Sequence, residues 1–404
     1  MEQALSGVTV ADFSQMMQGP WATQKLAEMG ADVIKIERIG GEWERTLAPG
    51  GELQEGVSPF FLAMNRNKRS ITLDLKEPEG HSIALDIASE ADILFENFRP
   101  GVMDRLDLGY DDVTEVNPNI VYVSGYGFGS DGPYVDRPGQ DLLLQAMSGL
   151  TKTTGRKNDP PTPAGSAVVD EHSSMLLVFA TMVALFHKER TGEGQHVEGN
   201  LFSAAIDFQC QEITAELSLE KEFERSDAGI ASPYNEPPYG IYETADGHIA
   251  IAMAEILTLT DILDINPSTL PPFDAPAESF ENRDEIKRII EEHTREQPTE
   301  KLLNDLLAED VWTAEVNDFE DLVDDPQVEH NEMLVEMDHE EYGSFTTTGI
   351  PVSLSETPGE ISSTPPVPGE HTHEILTDLG YDEEMIQSAI EGGITTSPHS
   401  DSSD

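Results

Sequence analysis

Basic residues are scarce in this chain of 404 residues. It carries 23 Lys and Arg against 78 Asp and Glu, for a formal net charge of −55. A field of that sign repels nucleic acids and anionic membranes, so we expect neither as a partner. At molar salt the Debye length falls to about 3 Å, and the surface charges barely interact. The composition therefore predicts a protein adapted to high salt.

Cysteine is nearly absent as well. With Cys210 alone, the chain has no internal disulfide and no cysteine-based metal cluster. Cys210 lies in a helix-like stretch with Phe208 and Ile213, which favours a buried, unreactive thiol. His371 and His373 stand in a stretch rich in Pro and Gly that favours exposure to solvent, so we expect no metal site.

Long apolar runs are also missing. The longest, residues 175–186, is too short to span a bilayer and is typical of a core helix. The amino terminus has no basic region followed by an apolar core, so we identify no signal peptide. These observations predict a soluble, cytoplasmic enzyme.

The order of apolar and amphipathic stretches predicts an α/β fold. Short apolar runs alternate with helical patterns over the first 200 residues, as in a mostly parallel sheet covered by helices. A polar, Pro-rich stretch near residue 225 precedes a predicted hairpin at 238–253 and helices at 283–294 and 300–307. We place the domain boundaries at residues 1–224, 225–325 and 326–404, and expect the final residues, 397–404, to be disordered. The predicted strands are 8–13, 33–36, 70–73, 93–95 and 120–124, and the predicted helices are 21–29, 78–88 and 173–188.

The run ENFRPG at residues 96–101 is the most informative local motif. It follows the apolar stretch 91–95, so Asn97, Phe98 and Arg99 are predicted at the carboxyl end of a strand. Open α/β sheets bind ligands at that edge. A strand-to-helix turn with a surface arginine is the alternative.

Other motifs follow in a familiar order: LAEMGADVIKIER (26–38), NRNKRSITLDL (65–75), NPNIVYVSGYGFGSDGP (117–133) and TGEGQHV (191–197). Together they resemble the family III CoA-transferases, which include formyl-CoA transferase and carnitine CoA-transferase. The resemblance is dense over about residues 4–255 and returns in PPVPGEHTHEIL (365–376). It implies a Rossmann-like large domain built from both chain ends, a smaller central α+β domain and an interlocked homodimer.

By match to this family, Asp170 is the catalytic aspartate, with Glu171 as the fallback. An ionised carboxylate can attack an acyl-CoA thioester without a general base, and the exchange passes through an aspartyl-CoA thioester. We expect backbone N–H groups at the start of the following helix to stabilise the developing negative charge. Spacing alone favours another role, in which Asp170 is the N-cap of a helix that begins just beyond it.

The resemblance implies CoA thioesters as substrates and no tightly bound cofactor. Tyr126 and Gln140 are predicted near the acyl group, and Met17 and Gln18 near the thioester. The sequence leaves open whether Arg66, Lys68, Arg69 and Arg99 touch CoA or lie in solvated turns. The positions that match the family's CoA contacts are Met17, Gln18, Arg38, Leu73, Leu75, Lys76, Asn97, Phe98, Val102 and Arg105.

A dinucleotide fingerprint is present but lacks its context. Residues 127–132 fit GxGxxG after a predicted strand, yet Pro133 and the turn 136–138 follow instead of a helix. No helix N-terminus would face a pyrophosphate, so we reject NAD.

Two other functions remain as alternatives. An α-methylacyl-CoA racemase of the same superfamily carries a His-Asp pair where this chain has Gln140-Asp141, and glutamine cannot exchange protons. A non-catalytic CoA-binding protein is the second alternative. The family and the apparent high-salt lifestyle, rather than particular residues, make succinyl-CoA the expected donor and a dicarboxylate such as mesaconate the expected acceptor.

Overall fold

A computed structural model describes residues 2–398. The strands are β1 Thr9–Asp12, β2 Asp32–Glu37, β3 Lys68–Thr72, β4 Ile93–Glu96, β5 Val121–Tyr126, β6 Gln195–Asn200, β7 Gly240–Glu243, β8 His248–Ile251, β9 Thr313–Glu315, β10 Leu334–His339 and β11 Gly343–Thr348. The helices are α1 Gln18–Glu28, α2 Pro59–Met64, α3 Pro78–Glu90, α4 Val102–Arg105, α5 Tyr110–Val116, α6 Asp141–Met147, α7 Leu150–Thr153, α8 Val168–Thr191, α9 Leu201–Asp207, α10 Cys210–Leu219, α11 Ile256–Ile262, α12 Pro276–Glu281, α13 Arg283–Thr294, α14 Thr299–Ala308, α15 Pro326–His330, α16 Thr372–Asp378 and α17 Glu383–Glu391.

The chain divides into two compact units. The larger unit comprises residues 1–144, 167–205 and 326–404, and so joins both ends of the sequence. Its six-stranded sheet has the order β3-β2-β1-β4-β5-β6, with every pairing parallel. This is the strand order of doubly wound dinucleotide-binding folds. The α/β class predicted from the alternating pattern is confirmed.

Alternating side chains divide the core of the large unit between the two faces of the sheet. Val10, Ile93 and Val121 pack in one buried cluster with residues of α1 and α8. Leu94 and Tyr122 belong to a second cluster with α3, α5, α16 and α17. Because successive strand residues point to opposite faces, each short strand contributes to both clusters.

The smaller unit comprises residues 145–166 and 206–325. Its three-stranded antiparallel sheet, β7-β8-β9, packs with α11, α13 and α14 around a separate core. The unit begins well before residue 225 because its first segment is hydrogen-bonded to later parts: Gln209 Nε2 donates to Ser148 Oγ at 3.0 Å, and Lys157 N donates to Ser226 O at 3.0 Å.

Two local predictions are wrong. Cys210 is exposed, because it lies at the start of α10, a helix without buried residues in the chain as described. The helix expected just beyond Asp170 begins earlier, at Val168. Of the predicted disordered tail, residues 399–404 lie outside the described part of the chain.

Helix α8 combines a buried face with an exposed apolar face. By length and composition it is the one helix among residues 2–398 that could cross a membrane. This is weak evidence, because core helices pass the same test. Leu177 and Leu185 are buried, whereas Phe179 is 67% and Phe186 63% exposed.

Several of the few Lys and Arg side chains form ion pairs with carboxylates of the protein itself. Arg66 is fully buried, and its Nη2 lies 2.6 Å from Glu28 Oε1. Lys25 Nζ lies 2.9 Å from the other oxygen of the same carboxylate. Arg69, partly exposed, pairs with Asp32 and with two carboxylates of α16. Neither arginine therefore extends freely toward a ligand.

We expect Arg66→Met to lower the free energy of unfolding by about 3 kcal/mol, since it leaves the buried carboxylate of Glu28 without its main partner. Arg69→Met, which removes three ion pairs with carboxylates that are exposed to solvent, is expected to cost less, about 1 kcal/mol. Urea unfolding in molar KCl, followed by circular dichroism, measures both. Equal losses would contradict this account of the buried pair.

Candidate active site

The turn between β1 and α1 is held by a buried carboxylate. Asp12 Oδ2 accepts hydrogen bonds from Thr23 Oγ1 at 2.7 Å and from Lys68 Nζ at 3.0 Å. Its Oδ1 accepts from Ser14 N at 3.0 Å. Burial opposes ionisation of Asp12, but the charges of Lys68 and Lys35 outweigh it and hold its pKa below the ordinary value. The carboxylate therefore stays ionised and fixes the turn.

Asn97 links this turn to the end of β4. Its side-chain oxygen accepts from Gln15 N at 2.8 Å, and its amide nitrogen donates to Gln15 O at 2.8 Å. Asn97 and Phe98 follow β4 directly, which confirms the predicted placement at a strand's carboxyl end. Phe98 N in turn donates to Glu96 Oε2 at 2.8 Å. The amide of Asn97 thus joins the loops that follow two adjacent strands.

Gln18 joins the same turn to α8. This buried side chain donates from Nε2 to Ser173 Oγ at 2.8 Å. Ser174 Oγ lies 2.8 Å from both Gln18 O and Asp170 O. A Cβ at Gly125 would come within 2.6 Å of Gln18 Oε1, so β5 leaves room for this amide only because it carries glycine there. Met17, half-buried, immediately precedes α1.

A pocket of about 410 Å³ lies at the carboxyl edge of the sheet. Its walls come from the segments that follow β1, β2, β3 and β4, and they are mainly apolar. The short helix α4 begins at Val102 and ends at Arg105, and the next residue, Leu106, lines the pocket. The walls include half of the ten residues matched to CoA contacts, namely Arg38, Leu73, Leu75, Lys76 and Phe98.

The cations at this pocket differ from the buried cations of the large unit, such as Arg45 and Arg66, which are paired with glutamates. Arg38 and Lys76 lie in its walls, and Arg99 and Arg105 are sequence neighbours of the wall residues Phe98 and Leu106. All four are exposed, and among residues 2–398 no carboxylate oxygen lies within 4.0 Å of their charged nitrogens. Unpaired cations beside an apolar pocket suit a ligand that carries both phosphates and apolar groups.

Asp170 lies in the first turn of α8, half-buried. Its side chain is not the N-cap, because the helix begins at Val168. The cap comes from Asp141 at the start of α6, whose Oδ2 accepts from Val169 N at 2.8 Å and from Asp170 N at 3.2 Å. The N-cap interpretation of Asp170 is therefore wrong, and its carboxyl group is available for another role.

The surroundings raise the pKa of Asp170 to about 7. Burial is the largest cause, and the negative charges of Asp141 and Glu171 add to it. Backbone amides at the start of α8 were expected to stabilise developing charge, but three of them already have acceptors. Val169 N and Asp170 N donate to Asp141 Oδ2, and Glu171 N donates to Ala167 O at 3.0 Å, so the expectation is wrong for these three.

Tyr126 ends β5 beside a second buried carboxyl. Burial raises the pKa of Glu96 to about 7, against the effect of its hydrogen bond with Ser124. Burial and then the charge of Glu96 raise the pKa of Tyr126 to about 12. Ser124 Oγ also lies 2.9 Å from His196 Nε2. This group of polar side chains could not be found from sequence, because its members come from three strands, β4, β5 and β6.

The glycine-rich segment 127–139 forms a loop closed by its own backbone. An added Cβ at Gly127 would lie 2.7 Å from Gly139 Cα, and one at Gly139 would lie 2.4 Å from Gly127 Cα. No helix follows until α6 begins at Asp141, which confirms the argument against a dinucleotide fingerprint. Gln140, exposed, stands directly before α6.

Comparisons with known proteins agree on one family. The model of CoA-transferase family III matches residues 5–372. The human succinyl-CoA:glutarate CoA-transferase is 32% identical over 96% of this chain and 89% of its own length. The succinyl-CoA:mesaconate CoA-transferase of Haloarcula hispanica is 33% identical over 93% of this chain and 96% of its own. The crystal structure of a CAIB/BAIF family protein from Brucella suis covers 94% of this chain and 100% of its own with a TM-score of 0.82 and 31% identity.

We expect Asp141→Asn to lower the pKa of Asp170 from about 7, because it removes a neighbouring negative charge and keeps an oxygen to cap α8. Carboxyl ¹³C NMR of aspartate-labelled protein measures this, with the Asp170 signal assigned by its loss in Asp170→Asn. Asp141→Ala, which removes the cap as well, should also reduce thermal stability. An unchanged pKa in Asp141→Asn would mean that burial alone causes the rise.

Proposed function

Because the chain belongs to CoA-transferase family III, we propose that it moves CoA from succinyl-CoA to a dicarboxylic acid such as mesaconate. The printed activities of its relatives support this choice, since succinyl-CoA is named with glutarate in one and with mesaconate in another. Asp170 is the proposed nucleophile. One observation carries the proposal. The carboxyl group of Asp170 is half-buried and does not cap its helix, and the same unit contains an apolar pocket with cations that have no ion-pair partner among the described residues.

CoA is assigned to the pocket at the carboxyl edge of the sheet. Its phosphates require cations, and Arg38, Lys76 and Arg105 supply them without breaking an existing ion pair. Phe98 and Leu73 supply apolar surface for the adenine and the pantetheine arm. Arg66, Lys68 and Arg69 have no part in this assignment, because each is held by carboxylates of the fold.

The transfer proceeds in four acyl exchanges. The Asp170 carboxylate attacks the thioester carbonyl of succinyl-CoA, which gives an aspartyl–succinyl anhydride and CoA thiolate. The thiolate attacks the aspartyl carbonyl, succinate departs, and an aspartyl-CoA thioester remains. The acceptor carboxylate attacks that thioester, which forms an aspartyl–acceptor anhydride and releases the thiolate again. The thiolate then takes the acceptor's acyl group, so the Asp170 carboxylate is regenerated without ATP.

The pKa of Asp170 sets the pH at which this cycle can begin. Only the ionised carboxylate attacks, and a pKa of about 7 leaves a growing fraction protonated as the pH falls below that value. The transfer rate therefore decreases toward acid pH. Burial, which is the main cause of this raised pKa, also limits access of water that would hydrolyse the aspartyl intermediates.

The racemase alternative is not favoured. Gln140, which stands where those enzymes have histidine, offers no acid or base, and the relatives described above are named as CoA-transferases. A non-catalytic CoA-binding protein would need no carboxyl of raised pKa on α8. The following experiment separates them, because a racemase would exchange an α-proton and a non-catalytic protein would give neither exchange nor a new ester.

The purified protein is incubated with succinyl-CoA and a panel of carboxylic acids, and the CoA esters are separated by chromatography. We expect new dicarboxylyl-CoA esters at molar KCl and much less at 0.1 M KCl, because the charge of −55 is screened only at high salt. Asp170→Ala should abolish ester formation, a loss of more than about 10³-fold expected when a nucleophile is removed.

Asp159→Ala is the matched control, since Asp159 belongs to the smaller unit and should leave the rate unchanged. Persistence of transfer in Asp170→Ala would exclude the proposed nucleophile. Exchange of an α-proton in a 2-methylacyl-CoA, without formation of any new ester, would replace the transferase by the racemase.

We also propose that two chains form an interlocked homodimer, as the resemblance implies. The exposed apolar side chains of α8, among them Phe179, Val183 and Phe186, are consistent with burial against a second chain. Light scattering in molar KCl should give about twice the chain mass of 44.3 kDa. A mass equal to one chain would exclude the dimer.

A further inference from the structure

We propose that Arg137 binds the distal carboxylate of a dicarboxylic acceptor and so selects dicarboxylates over monocarboxylates. The inference rests on the proposed function, because it concerns the second substrate of the same site. It assigns a specificity role to a residue outside the CoA pocket. Arg137 is positioned by the loop 127–139, by the aromatic side chains that support this loop and by the link of the loop to α8.

The loop that carries Arg137 has a fixed base. Gly127 and Gly139 meet backbone to backbone, at a separation that no side chain at either position would allow. Phe202 N donates to Gly127 O at 3.1 Å, which anchors one end of the loop to α9. Within the loop, Arg137 N donates to Tyr134 O at 2.9 Å. The base and the turn together restrict where Arg137 can lie.

Stacked side chains hold the guanidinium group in place. The Arg137 guanidinium carbon lies 3.9 Å from the centre of the Tyr134 ring. Tyr134 packs edge-on against Phe128 at 5.5 Å between ring centres, and Phe128 packs against Phe202 at 5.8 Å. Stacking on an aromatic face leaves the N–H groups at the edge of the guanidinium plane free to bind a carboxylate through two hydrogen bonds.

The same aromatic side chains connect the loop to the start of α8. Phe128 and Phe202 pack against a buried cluster that contains Leu144 and Val169, and Val169 is the residue before Asp170. Along the chain, Arg137 stands four residues before Asp141, a span of at most about 14 Å between Cα atoms. Asp141 Oδ2 lies 3.2 Å from Asp170 N. Arg137 is thus tied to the nucleophile's helix by packing and by sequence.

The guanidinium group of Arg137 forms no ion pair within the described part of the chain. Among the residues the structure describes, no carboxylate oxygen lies within 4.0 Å of its guanidinium, and the side chain is exposed. The buried arginines of the large unit, Arg45 and Arg66, are each paired with a glutamate. The chain has 78 acidic residues, yet none pairs with this arginine among the described residues. An arginine that is stacked in a fixed orientation and has no carboxylate partner is suited to bind the anionic group of a ligand.

The chemistry of the acceptor supplies such an anion. One carboxylate of a dicarboxylic acid must attack the aspartyl-CoA thioester at Asp170, and the other remains charged throughout the reaction. A monocarboxylic acid has only the reacting group and gains nothing from Arg137. The succinyl group of the donor carries the same distal carboxylate, so Arg137 serves each acyl group in turn.

The test compares acceptors of equal chain length, glutarate with valerate and succinate with butyrate, at saturating succinyl-CoA in molar KCl. Isotope-labelled succinate makes its own ester detectable. We expect Arg137→Gln to raise KM for the dicarboxylates by about 10- to 100-fold, the loss of a charge-assisted pair of hydrogen bonds, with little change in kcat. The rates with valerate and butyrate should stay as in the wild type. Arg137→Lys, which keeps the charge but not the planar group, should lie between.

Arg190→Gln is the matched control. Arg190 is also exposed and lies over an aromatic ring, that of Phe186, but about 30 Å along α8 from Asp170. Its removal changes the net charge equally and should leave every KM unchanged. An equal loss for dicarboxylates and monocarboxylates in Arg137→Gln, or no loss for either, would overturn the proposal while CoA transfer itself stands. Absence of any ester in the wild type would instead refute the proposed function, and this inference with it.

Discussion

The ionised carboxylate of Asp12 is the constraint on which the site depends. It is fully buried at the end of β1, where desolvation alone would favour the neutral acid, and Lys68 reverses that preference. Hydrogen bonds to Asp12 fix the turn that carries Gln15 and Gln18. The backbone of Gln15 is held by Asn97 after β4, and the side chain of Gln18 reaches Ser173 of α8, three residues after Asp170. The loop after β4 and the start of α8 therefore share one support.

The sequence predicted strands where their residues are apolar and missed a strand whose residues are mostly polar. Strands β2 and β4 consist largely of buried apolar residues, and this apolar character located them. Strand β6, Gln195–Asn200, has a mostly polar sequence and only partial burial, so it carried no such signal. It forms because its backbone pairs with β5 at the sheet edge. Pairing with a neighbour is a tertiary property that local pattern does not contain.

The site was predicted in part for a similar reason. Family motifs matched ten positions to CoA contacts, and five of them line the pocket, but the sequence left open whether Arg66, which is buried against Glu28, would touch a ligand. Arg66 belongs to the basic run 65–69, and the sequence alone does not show which of its side chains point into the core. The role of Asp141 as the cap of α8 was also hidden, because an N-cap is normally sought in the residues just before a helix and this one comes from 28 residues upstream.

The division of the large unit between both ends of the chain affects how the protein is made. Ile375, Leu376 and Ile386 complete the core cluster that contains Leu94 and Tyr122, so this cluster stays incomplete until residues 375–386 have been synthesised. The smaller unit has every member of its core between Tyr242 and Val311, well before that point. Domains usually fold in the order of their synthesis, amino-terminal first. In this chain the unit begun first is the last to be completed.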